Sequence, residues 1–129
     1  MTPDLFSQEW FENLTENLAR ALKDSPEISF PDAGMEIGQV ITDVGDRSIS
    51  YIIKIGKGST EIVRTEPADR IPTLITDYFT YEDLLAGKTD ISAAIFSGKI
   101  KIKGDLQYLI SNRQLLKTIG AALANQARP

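Results

Sequence analysis

Phe96-Ser97-Gly98-Lys99-Ile100-Lys101-Ile102-Lys103-Gly104-Asp105 decides how the rest of the chain is read. Between its two glycines, lysine and isoleucine alternate from Lys99 to Lys103 without a break. Successive side chains of a strand point to opposite faces, so the alternation predicts a short strand with the isoleucines buried and the lysines wet. The apolar runs on either side, Ile91 to Phe96 and Leu106 to Leu123, have the spacing of helices instead.

The neighbouring segments extend this pattern. After Gly104-Asp105, one last helix is expected to carry Leu109, Leu116, Ile119 and Leu123 on one face, joined by Leu115. Before the strand, Asp90 can cap a helix that ends at Gly98, and Thr80 can cap a shorter one through Glu82, Leu84 and Leu85 that ends at Gly87. Pro72 to Tyr78 fits a strand, with the proline at its start or on an edge. From Met35 the period is two: a strand to Val44, a tight turn at Gly45-Asp46, and a return strand. In the return strand Ile49, Tyr51, Ile53 and Ile55 point one way, and Ser48, Ser50 and Lys54 the other. Gly56 to Ser59 is a second turn, leading to a strand near Thr60 to Thr65. At the start, Ser7 can cap a helix in which Trp10, Leu14, Leu18 and Leu22 recur every four residues until Ser25-Pro26. The order α-β-β-β-β-α-α-β-α is that of an α+β protein with a meander sheet covered by helices.

Composition narrows the chemistry. At 129 residues the chain is expected to form one domain, residues 1–129, with room for a core and one cavity. The net charge of −4 argues against a nucleic-acid surface, so no nucleic-acid partner is expected. There is neither cysteine nor histidine, which removes disulfides, thiolate chemistry, Ser–His–Asp triads and histidine metal sites together. No metal and no cofactor are expected. Glu82 and Asp83 are adjacent acids, but helix neighbours point about 100° apart, so no paired-carboxylate site is assigned. No residue is assigned a catalytic role. Met1 to Ser7 lacks the basic start and apolar core of a signal peptide, and the tail to Pro129 is not a Ser-Lys-Leu peroxisomal address. A cytoplasmic protein is the expectation.

Two stretches carry a family resemblance. Thr76-Asp77-Tyr78-Phe79-Thr80-Tyr81-Glu82-Asp83-Leu84-Leu85-Ala86-Gly87-Lys88 is similar to the strand and leucine-pair helix of the sterol carrier protein 2 family, the nonspecific lipid-transfer domains. Ser92 to Asp105 resembles that family's Gly-Lys-Ile-Lys-Ile signature, and Phe6 to Trp10 is similar to the start of its small stand-alone bacterial members. The resemblance implies a curved, mostly antiparallel sheet of about five strands with N-terminal, middle and C-terminal helices on one side. It also implies an apolar tunnel that holds a fatty acyl, isoprenoid or sterol-like ligand without chemistry. An accessory role, presenting a hydrophobic intermediate such as a quinone precursor to a partner enzyme, is the alternative within the family. A ligand-free interaction module is the alternative outside it. Transient membrane contact is compatible with the family, although the acidic balance departs from the basic surface of a membrane-docking carrier.

If the resemblance holds, Leu109, Leu116, Ile119 and Leu123 line the tunnel, with Phe79, Leu84, Leu85 and Phe96 beside them. Periodic apolar residues serve equally as ordinary core. Trp10 either covers an opening or anchors the first helix, and the anchor is the simpler reading. Lys99, Lys101 and Lys103 are the candidates for an anionic headgroup, and a solvated strand face explains them as well.

Overall fold

The structure is a computed structural model that describes residues 4–126. The first three residues and the last three, which bear on the leader and tail readings, lie outside the described part.

A first helix, α1 (Gln8–Lys23), begins where the Ser7 hydroxyl accepts the Trp10 N–H at 3.2 Å. It buries Trp10, Phe11, Leu14 and Leu18, one stripe of the helix, as the four-residue spacing requires. Two long strands follow, β1 (Met35–Val44) and β2 (Arg47–Gly56), joined by the expected Gly45-Asp46 turn with Gly45 at φ 66°. β3 (Ser59–Val63) completes an antiparallel trio. Ile37, Ile41, Tyr51, Ile53 and Ile55 face the helices and are buried.

β4 (Thr73–Asp77) departs from the expected meander. The strand order is β3-β2-β1-β4-β5, and β4 lies parallel to β1 instead of beside β3. Residues 64–72 therefore cross the far face of the sheet. Gly38 makes that crossing feasible: a Cβ there would lie 2.6 Å from Pro67 and 2.5 Å from the Thr73 hydroxyl. The crossing segment also buries Ile71 at its end. Ion pairs hold it to the sheet, Lys103 to Asp69 at 2.6 Å and Arg70 to Glu36 at 3.6 Å.

Two short helices come next, α2 (Tyr78–Leu85) and α3 (Ile91–Phe96). α2 is capped by Asp77, whose carboxylate accepts the Thr80 N–H at 2.7 Å, so Thr80 is a residue of the first turn and not the cap. α3 is capped by Asp90 and ends at Gly98, which takes φ 81° while Lys99 donates back to the Ala94 carbonyl. β5 (Ile100–Lys103) is the isoleucine–lysine strand, paired antiparallel with β4.

The expected last helix is two helices, α4 (Leu106–Ser111) and α5 (Arg113–Asn125). The break is at Asn112, with φ −113° and ψ 36°, where the side-chain amide donates to the Tyr108 carbonyl at 2.7 Å. Leu109 and Leu116 are seven apart, which keeps them in phase across a continuous helix, so apolar spacing gives no sign of the break. The five-stranded, mostly antiparallel sheet with helices on one face is the α+β arrangement expected.

Candidate functional site: a cleft beside the last helix

Gly87 ends α2 at φ 72°, and the Lys88 N–H turns back to the Asp83 carbonyl at 2.9 Å. Asp90 then starts α3 by accepting the Ala93 N–H at 2.7 Å. Held at both ends, the turn between them stands away from α5. A cleft of about 580 Å³ opens in that gap.

Its floor is Leu84, Ile91 and Leu116, none more than 3% exposed. On α5 the wall is made of Gly120, Ala121 and Ala124, and the space exists because these side chains are small. A Cβ at Gly120 would rest 3.7 Å from Ile91, an ordinary contact, so the glycine creates room without being sterically required. Arg113 and Lys117, one helical turn apart, stand at the rim, with Thr89, Asp90 and Ser92 across from them. The site is apolar below and cationic on one lip.

Arg113 is the first residue of α5, which has no acid in its first turn and no side-chain cap. A cation at the positive end of a helix is unfavourable by about 0.3–1 kcal/mol. An anion held by Arg113 would offset that cost.

Next to the cleft is a much smaller slot of about 20 Å³ between α3, α4 and the start of α5, room for one water. Ser92, Arg113 and Leu116 border both spaces. At the slot's rim Phe96 is 75% exposed, Leu106 46% and Ile110 37%.

The candidate residues are thus divided. Leu84 and Leu116 floor the cleft, while Phe96, Leu109 and Leu116 border the slot. Ile119 and Leu123 lie in the core, and Leu85 packs half-buried against the same core. Phe79 is 78% exposed on the first turn of α2 and borders neither space. The cleft thus lies between α5 and the segment that joins α2 to α3. Trp10 is 3% exposed, stacked edge-on with Phe6 and Phe11, and anchors α1.

The lysine row is separated from the cleft by the sheet. Lys101 and Lys103 pair with Ile75 and Thr73 on the face away from the helices, and Lys103 is bonded to Asp69. That bond, with the ammonium charge behind it, holds the Asp69 carboxyl below its usual range. Lys99 lies at the α3–β5 turn, exposed. The cations at the cleft are Arg113 and Lys117, which apolar spacing overlooks. Their signal is a basic pair four residues apart followed by Gly120, Ala121 and Ala124 along one flank of the helix.

Among the described residues no group of acids could hold a metal ion, and no helix is long and apolar enough to cross a membrane. Residues 36–117 match the SCP-2 sterol transfer family, and the chain belongs to it. No curated protein matches the sequence. Among solved structures, sterol carrier protein 2 superposes with a TM-score of 0.75 at 15% identity, over 94% of this chain and 98% of that one. A conserved hypothetical protein of Thermus thermophilus, described as a candidate sterol carrier protein, gives 0.72 at 15% identity over 98% and 92%. The ubiquinone synthesis protein UbiJ-SCP2 gives 0.58 at 18% identity over 98% and 96%. At these identities the likeness is one of fold.

Proposed function

We propose that the protein binds a lipid, or another bulky apolar molecule, in the cleft beside α5 and performs no chemistry on it. The observation that carries this reading is the cleft of about 580 Å³ with an apolar floor. That size falls in the usual range for small-molecule sites, about 300–1,000 Å³. Burial of apolar ligand surface drives binding at about 25 cal/mol per Å², less the cost of ordering. Membership of the SCP-2 sterol transfer family supports the same ligand class. The cationic lip favours a ligand whose polar end is an anion over a neutral one.

Uptake of a fluorescent fatty acid tests the reading. Ala121 is exposed on the cleft wall, so Ala121→Trp fills the space without disturbing the core. Affinity is expected to fall at least about tenfold, the effect of losing roughly 1.4 kcal/mol of contact, with the melting temperature unchanged. Uptake equal to that of the unmodified protein would remove the cleft as the site. Leu116→Trp is a harsher test, because Leu116 is 2% exposed and the added volume strains the fold.

The likeness to UbiJ-SCP2 supports a second reading, in which the bound molecule is an intermediate presented to a partner enzyme. Stable co-purification of such an enzyme separates the two. A carrier that elutes alone from its own host, loaded with lipid, favours the first.

A further inference from the structure

Charge and exposed apolar side chains are both divided between two patches of this chain. Residues 1–90 contain 17 acidic and 8 basic side chains, while residues 91–129 contain one acid and six bases. Each part exposes a phenylalanine, Phe79 at 78% and Phe96 at 75%, the most exposed large apolar side chains among the described residues. On α2, Phe79, Glu82, Asp83 and Ala86 are spaced i, i+3, i+4 and i+7, so they share one face. That face looks outward, because Thr80, Tyr81 and Leu84 are the buried residues of the helix. The phenyl ring there stands mostly in water and adds little to the fold. Around Phe96 the setting is basic. Leu106, Ile110 and Arg113 border the slot with it, and Lys99 follows three residues on, exposed. Among the described residues Glu82, Asp83, Lys99 and Arg113 form no ion pair. Both patches adjoin the cleft, the acidic one through Leu84 and Gly87 at the end of α2, the basic one through Ser92, Arg113 and Leu116.

We propose that these two patches are the halves of one interface, by which a second copy of this chain docks in a two-fold dimer. A two-fold contact is self-complementary, so each half on one copy meets the opposite half on the other, twice. Phe79, Glu82 and Asp83 of one copy then face Phe96, Lys99 and Arg113 of the other, and the reverse. Either half would be repelled by its own kind, acid against acid or cation against cation, so charge selects the crossed pairing. The one contact removes the exposed rings of both parts from water, and aromatic side chains with an arginine are the residues that anchor interfaces. Arg113 gives a second reason. It opens α5, which has no acid in its first turn and no side-chain cap. A carboxylate of the other copy supplies the anion that this helix end lacks. An anionic bilayer is the poorer occupant, because Glu82 and Asp83 beside Phe79 would be repelled by it. A partner of different sequence would need the same crossed pattern, which a second copy has by symmetry. The dimer forms beside the cleft and does not depend on an occupied one, so the proposal goes beyond ligand binding.

The test is analytical ultracentrifugation of the delipidated full chain over a concentration series, at low and at raised salt. A monomer–dimer equilibrium is expected, weakening as salt rises. Phe79→Ser should raise the dissociation constant at least about tenfold, since each dimer loses two rings. Glu82→Lys and Lys99→Glu should each raise it about tenfold by setting like charges together. The double variant, Glu82→Lys with Lys99→Glu, carries the pairs reversed and should return to within about threefold of the unmodified protein. Lys54→Glu, on the sheet face away from the helices, changes net charge as Lys99→Glu does and should have little effect. All four positions are exposed, so the melting temperature is expected to be unchanged in every variant. The proposal is overturned if the chain stays monomeric at every concentration, or if the double variant dimerises no better than its single parents. Growth into species larger than dimers would overturn it too, as an open head-to-tail contact. So would a monomer whose flotation with phosphatidylglycerol vesicles is lost in Phe79→Ser, which would put a bilayer on the patch. Fatty-acid uptake measured on the same samples reports on the cleft separately.

Discussion

At Gly38 the chain omits a side chain because Pro67 and the Thr73 hydroxyl occupy its place. Gly38→Ala forces one of them to move, at an expected cost of about 1–3 kcal/mol. Urea denaturation reads this directly, and an unshifted midpoint would mean that the crossing segment is looser than it stands. A second single-residue effect lies in the core, where the Tyr51 and Tyr81 hydroxyls meet at 2.8 Å. Burial pushes both phenols up, Tyr51 in spite of the hydrogen bond from its neighbour and Tyr81 with a further push from Tyr51. Below about pH 10 both tyrosines are protonated whether the chain is folded or not, so the linkage is silent there. Above it the unfolded chain loses protons that the native state keeps, and stability falls with rising pH by up to about 1.4 kcal/mol per unit for each tyrosine. The melting temperature should hold steady to about pH 10 and then drop, with a shallower drop in Tyr51→Phe. A profile that is the same in both proteins would deny the pair its part.

Among the elements, α5 is held unevenly. At its C-terminal end the Gln126 amide donates to the Trp10 carbonyl at 2.9 Å and accepts from Asn17 at 2.5 Å, which fixes it to α1. At its N-terminal end it starts from the irregular Asn112 without a side-chain cap, beside the cleft. The Arg113 end is therefore the less restrained of the two, and under the proposed lipid-binding role it is the end that opens. Gln126→Ala should cost about 1–3 kcal/mol, because Asn17 and the Trp10 carbonyl lose their partner. Amide exchange should rise at the α1–α5 contact, and protection that stays uniform would show that the latch carries no weight. Asp77→Ala should cost about 1 kcal/mol through the lost α2 cap, whereas Thr80→Ala tests a buried hydroxyl and not a cap. The misplacement of that cap by three residues has a simple origin. Asp77 and Thr80 are both good capping types, and only the paired length of β4 decides which one ends the strand.

For the molecule as a whole, the first described helix packs on the last, so the core is not complete until the two ends of the chain meet. The 129 residues should then unfold as one domain in a single transition. Trp10 fluorescence and far-UV circular dichroism should give coincident curves; separate midpoints would divide the chain into units. The alternation at Ile100 and Ile102, the four-residue stripe of α1 and the Gly45-Asp46 turn are local matters of period and turn chemistry, and the sequence by itself determined them. It also determined the absence of cysteine and histidine chemistry, and through its motifs the family. Which strand lies beside which was decided only by the tertiary structure, because the partner of β4 depends on where residues 64–72 can cross, and Gly38 opens that path from a different strand. The cleft was decided there too. A void is the distance between a turn held by Gly87 and Asp90 and a helix wall of Gly120, Ala121 and Ala124, and no spacing within one segment records the gap between two.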